Sequence, residues 1–114
     1  MELTVDTLEG GVRCIRLSGR MDLKGTQSIE ARFNAETGAL KQSVIVDMAA
    51  VNFIASIGIR LLLANIKQLN PAGAKIIFCR PQKLVEDVLR LSGLDAVAEI
   101  AADEVEAVNI LKGA

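Results

Sequence analysis

The feature that most restricts the fold is the short run Val44-Ile45-Val46, closed by Asp47 and set between two stretches with helical spacing. A strand from Ser43 to Met48 this short and this uniformly β-branched suits the middle of a sheet covered on both faces. After it, Ile59, Leu62, Leu63, Ile66 and Leu69 recur at helical spacing, and Pro71-Ala72-Gly73 ends the segment, which predicts a helix over Ser56 to Asn70. That spacing puts Ile59, Leu62, Leu63 and Ile66 on the core face and Arg60 and Lys67 outside. Ala74 to Cys79 reads as the next strand. Pro81 then opens a helix with Leu84, Val88 and Leu91 on one face and Gly93 just past its end. Ala96 to Ile100 is a weak last strand, and Asp103 with Glu106 three residues on marks the start of a helix running through Val105, Val108 and Leu111. Upstream, Leu3 to Leu8 and Val12 to Leu17 alternate around Glu9-Gly10-Gly11, a hairpin signal, and Ile29, Phe33 and Leu40 predict a helix over Thr26 to Leu40. Strands alternating with helices give right-handed crossovers. The expected fold is α/β: a mixed, mostly parallel sheet of four to five strands with about four helices. The spacing leaves open whether the helices cover one face or both.

At 114 residues the expectation is a single domain, 1–114, and 51% hydrophobic content supplies its core. The chain has no histidine, which removes Ser-His-Asp and Cys-His catalysis and His-bearing metal sites. No catalytic residue, metal site or cofactor is expected, and the chain is read as not an enzyme. Three Phe, no Tyr or Trp and a net charge of −1 argue against nucleic acid as a partner. Acids near the N-terminus are unlike a signal peptide, and Asp47 and Arg60 interrupt the most apolar region. A cytoplasmic protein without direct membrane insertion is expected. Cys14 and Cys79 lie in apolar runs and read as buried, reduced thiols.

Chemistry concentrates in Val51 to Arg60, the passage from a strand to a helix. Ser56 stands where the helix begins, among backbone N–H groups that favour negative charge. It is either a helix cap or a modifiable hydroxyl. Gly58 would admit a close approach by another molecule, and Lys24 and Arg60 would flank a phosphate or act as solvated charges. Asp47 ends a strand, as the phosphoacceptor of a response-regulator receiver does, yet the acidic pair such a site needs after the first strand is absent: only Glu9-Gly10-Gly11 follows Leu8.

The sequence also resembles the STAS domain family, and specifically its bacterial anti-sigma factor antagonists. Leu17-Ser18-Gly19-Arg20-Met21-Asp22 is similar to the family's L-x-G-x-x-D segment; Val44 to Met48 and Val51 to Ile54 resemble the stretch before its signature. Ala55-Ser56-Ile57-Gly58-Ile59 stands where the family has D-S-[ST]-G-[LI], so that Ala55 and Ile57 depart from it. The resemblance implies a small STAS-like sandwich and a partner-switching role in transcription regulation. By that resemblance a serine kinase that is also an anti-sigma factor would phosphorylate Ser56 and then be released, with room for a phosphatase to reverse the mark. It places Asp22 beside Ser56 and partner contacts at Asp22, Lys24, Ala55, Ile57, Gly58 and Arg60. The alternative is a STAS scaffold, never phosphorylated, such as an accessory subunit of a transport complex; Ala55 and Ile57 favour it. Small-ligand binding is a third implication.

Overall fold

A computed structural model describes residues 1–113. Five strands form one sheet in the order β1-β2-β3-β4-β5: β1 (Glu2–Thr7), β2 (Arg13–Met21), β3 (Val44–Ile54), β4 (Ile76–Cys79) and β5 (Glu99–Ala101). β1 runs antiparallel to β2, and every later pair is parallel. The expected mixed, mostly parallel sheet is what forms. The expected β1–β2 hairpin forms, its connection a single 3-10 turn, Glu9–Gly11, in which Gly10 and Gly11 both take positive φ (79° and 78°). β5 begins later than expected because Leu94–Ala96 turns as a 3-10 helix first.

Four helices follow in order: α1 (Leu23–Glu36), α2 (Ser56–Leu69), α3 (Lys83–Leu91) and α4 (Glu104–Gly113). The first three pack on one sheet face. There Ile15, Leu17, Val46, Met48 and Phe78 meet Ile29 and Phe33 of α1, Leu62 and Ile66 of α2, and Val85 and Leu89 of α3. α4 alone covers part of the other face, over Cys14, Ile45, Ile77, Cys79 and Ala101. β3 reads as a nearly continuous apolar run because both of its faces are covered.

The expected bounds or faces of all four helices need correction. α1 starts at Leu23, three residues before Thr26, and ends at Glu36. Leu40 falls in a separate 3-10 turn and is exposed. In α2 the buried arc holds Ile59, Leu61, Leu62, Asn65, Ile66 and Leu69, and Leu63 is only half-buried, because the helix faces α1 as well as the sheet. Arg60 and Lys67 lie outside as expected. In α3, which starts at Lys83 rather than Pro81, the buried residues are Val85 and Leu89. Leu84 and Leu91 are 76% and 88% exposed. This nine-residue helix carries two apolar stripes about a third of a turn apart, and spacing alone does not rank them. In α4, likewise, Val105 is exposed and Ala107 is the buried residue. Gly93 does take the left-handed conformation after α3 (φ 77°), and Asp103 does cap α4, accepting from the Glu106 N–H at 2.8 Å.

Candidate functional site

β3 is nearly twice as long as its apolar run suggested, and the extension builds the site. Opposite β2, β3 carries one extra residue between the pairs Arg16↔Asp47 and Ser18↔Ala50, and another between Gly19↔Val51 and Arg20↔Phe53. These irregularities break the period-two alternation, so that Val51 and Ile54 are buried while Asn52 and Phe53 face outward. The two strands then end level, Met21 paired with Ile54. The Ala55 N–H donates to the Met21 carbonyl at 3.0 Å, which ties the turn after β3 to the end of β2. Asp22 and Ser56, one and two residues beyond that pair, therefore start α1 and α2 side by side at the same end of the sheet.

Asp22 is the N-cap of α1: its carboxylate accepts from the Gly25 N–H at 2.8 Å. That hydrogen bond, helped by Arg20, holds its carboxyl below the ordinary aspartate range. Ser56 does not cap α2. The cap position is Ala55, in extended conformation and with no side-chain acceptor, and Ser56 is the first helical residue, exposed to solvent. Its hydroxyl sits in a turn whose leading N–H groups have no carbonyl four residues back, a favourable place for negative charge.

Gly58 is the main correction at the site. It is buried, and a Cβ there would come within 2.9 Å of Ile54 Cγ1, 3.1 Å of Met21 Cβ and 3.3 Å of the Met21 carbonyl. The space is taken by the chain's own strand ends, so the glycine lets α2 seat against them rather than admitting another molecule. Ala55 and Ile57 are half-buried, whereas Lys24 in the first turn of α1 and Arg60 at the start of the second turn of α2 are exposed. Two further features escaped the sequence reading. Gly25 matters more than Gly58: a Cβ on it would lie 1.9 Å from the Arg20 carbonyl oxygen. Arg20 lies over the Phe53 ring, 4.3 Å from its centroid, and makes a long 3.5 Å contact with Asp22. The register pair Arg20↔Phe53 is the only signal for that contact, and it depends on the irregularities in β3.

Asp47 belongs to a different structure. It is 4% exposed and accepts from Arg16 (2.6 Å), Arg80 (2.5 Å) and the Ala49 N–H (3.0 Å). Burial opposes its ionisation, but these donors outweigh it and keep the carboxyl below the usual range. The carboxylate is thus committed to two arginines and a backbone N–H rather than left open to a divalent ion. Cys14 and Cys79 are buried, and burial pushes their thiols up to about 11 and about 12.

Residues 5–107 match the STAS domain. This chain belongs to the STAS domain family. Among relatives of the STAS chain, a protein of Bordetella bronchiseptica that carries the name anti-sigma factor antagonist BtrV is 26% identical over 102 residues, covering 89% of this chain and 86% of its own. The anti-sigma factor antagonist SpoIIAA has the same fold in its unphosphorylated form, with TM-score 0.77 and 22% identity over 99% of this chain and 98% of that one. The phosphorylated form of Bacillus SpoIIAA gives TM-score 0.71 at 21% identity over 96% and 99%. The fold also recurs in the murine anion transporter Slc26a9, with TM-score 0.77 and 17% identity over 91% of this chain but 18% of the transporter. No helix among the described residues is long and apolar enough to cross a membrane.

Proposed function

We propose that this chain is a partner-switching STAS protein of the anti-sigma factor antagonist type. The whole chain acts as one binding unit without catalysis of its own. Its partner is a serine kinase that serves as an anti-sigma factor, and Ser56 is the residue that kinase phosphorylates. The observation that carries the reading is the position of Ser56: exposed, first in α2, committed to no cap, and next to the capped Asp22 turn. The partner contacts Asp22, Lys24, Ile57 and Arg60 around it, and Ala55 and Gly58 act by setting the turn. The names of BtrV and SpoIIAA support the partner class, and the existence of a phosphorylated SpoIIAA supports the modification. Lys24 and Arg60 are among the cations the chain offers to a phosphate at this end, where Arg20 lies as well. A cytoplasmic location and a resetting phosphatase belong to the same reading.

A scaffold in which Ser56 is never modified is favoured by Ala55 and Ile57, which replace an acid and a hydroxyl of the family signature, and by the recurrence of the fold in a transporter. Intact-mass analysis of the protein purified from its own cells separates the two readings. The switch predicts a population carrying one phosphate, mapped to Ser56 and lost in Ser56→Ala. Unmodified protein under every growth condition would leave the scaffold.

A further inference from the structure

The sheet face under α4 is closed by an arrangement quite unlike the main core. α4 contributes one fully buried side chain, Ala107, with Val108, Ile110 and Leu111 half-buried; α2 buries Ile59, Leu61, Leu62, Ile66 and Leu69. Along one flank α4 is not sealed to the β1–β2 turn: a cleft of about 350 Å³ runs there between Leu8, Glu9, Val105, Val108 and Lys112. What binds the start of α4 to the sheet is ionic. Glu104 pairs with Arg16, and its carboxylate is 3.8 Å from Arg80. Both arginines also hold the buried Asp47, and Arg16 holds Asp6 as well. Glu104 is thus the α4 carboxylate in a network whose one buried member, Asp47, keeps both the half-buried Arg16 and the exposed Arg80 as partners without it. Withdrawing α4 leaves Asp47 paired with both arginines, so no buried charge is stranded, and of its own side chains α4 gives up one that is fully buried, Ala107.

We propose that α4 is a releasable cover, held by the Glu104 clasp on Arg16 and Arg80, which opens without unfolding the rest of the chain and uncovers the face containing Cys14 and Cys79. The opened face presents Ile45, Ile77 and Ala101 together with the two thiols. Weak apolar anchoring makes the opening sensitive to anything that competes for the arginines, ionic strength included.

Thiol labelling of the native protein with Ellman's reagent tests this, because both cysteines are buried in the closed form. Labelling should proceed through an opening with a much weaker denaturant dependence than global unfolding. Glu104→Gln should raise the rate roughly three- to tenfold, the range expected for loss of a partly exposed charge-assisted pair, while the global denaturation midpoint barely moves. Added salt should accelerate labelling of wild type but not of Glu104→Gln. Leu62→Ala, which weakens the opposite face, serves as the control: it lowers the global midpoint without raising the sub-global rate. Equal labelling rates in wild type and Glu104→Gln, or labelling that follows global unfolding, would overturn the proposal.

Discussion

Replacing Gly25 with alanine puts opposing effects of known size against each other at the start of α1. In an isolated helix the change would gain about 1 kcal/mol, since alanine loses less backbone entropy and has the better propensity. Here the added Cβ would lie 1.9 Å from the Arg20 carbonyl oxygen and 2.9 Å from Met1 Cγ. The second neighbour is a flexible side chain that can swing away. The first is the backbone of β2, hydrogen-bonded into the sheet, so α1 must lift by more than an ångström. Overpacking of this kind costs about 1–3 kcal/mol or more. Lifting the first turn also breaks the Asp22 cap on the Gly25 N–H, worth about 1 kcal/mol. The net expectation is a loss of about 2–3 kcal/mol, a fall in Tm on the order of 10 °C for a domain of this size. Gly58→Ala, with its nearest contact at 2.9 Å to a side-chain carbon, should cost clearly less, about 1 kcal/mol. Urea and thermal denaturation of both variants measure the difference. A Gly25→Ala protein as stable as wild type or more so, or a larger loss from Gly58→Ala, would refute the account of how the two helices are seated.

Leu62→Ala, at a fully buried position, should cost about 2–5 kcal/mol in urea denaturation, whereas Leu84→Ala on the exposed stripe of α3 should stay within about 0.5 kcal/mol. Acid should destabilise the protein through Asp47. Its folded-state carboxyl is depressed, so its contribution is fully present above the unfolded aspartate value near 3.9 and is lost as pH falls through the lower folded value. Asp47→Asn should therefore be less stable at neutral pH and show a shallower loss below about pH 4; parallel stability curves for the two proteins would contradict this. Ser56→Ala should leave the denaturation midpoint within about 0.5 kcal/mol of wild type, since Ser56 is not the cap; a loss near 1 kcal/mol would restore a capping role.

Element order was legible in the sequence because each signal was local: β-branched runs, helical spacing, and Pro or Gly at the breaks. The site was legible in part. Asp22 and Ser56 do start neighbouring helices, yet the turn's geometry depends on two irregularities in β3, where Val51 and Ile54 point inward with Asn52 and Phe53 between them. Neither strand alternation nor helical spacing describes such a stretch, so it read as a connection. Gly25 and Gly58 are fixed by what lies across from them, namely the Arg20 carbonyl and the Met21 and Ile54 side chains, and a linear sequence does not display its own opposite strand. α3 failed for another reason: its outward Leu84 and Leu91 and its inward Val85 and Leu89 are equally apolar, and only the position of the sheet decides between them.

Ser56 as a switch predicts that one covalent change will alter binding while leaving the fold alone. A phosphate adds about −1.5 to −2 charge at neutral pH, and at the first residue of α2 the helix terminus favours it by about 0.3–1 kcal/mol. Across a partly desolvated contact the same charge opposes a partner that brings phosphates or acids near it, and each 1.4 kcal/mol weakens binding tenfold. The decisive measurement is the affinity of the modifying kinase for unmodified and Ser56-phosphorylated protein, with the Tm of both recorded alongside. The account predicts at least about tenfold weaker binding of the phosphorylated form at a Tm equal to or slightly above that of the unmodified chain. Equal affinity of the two forms would contradict it.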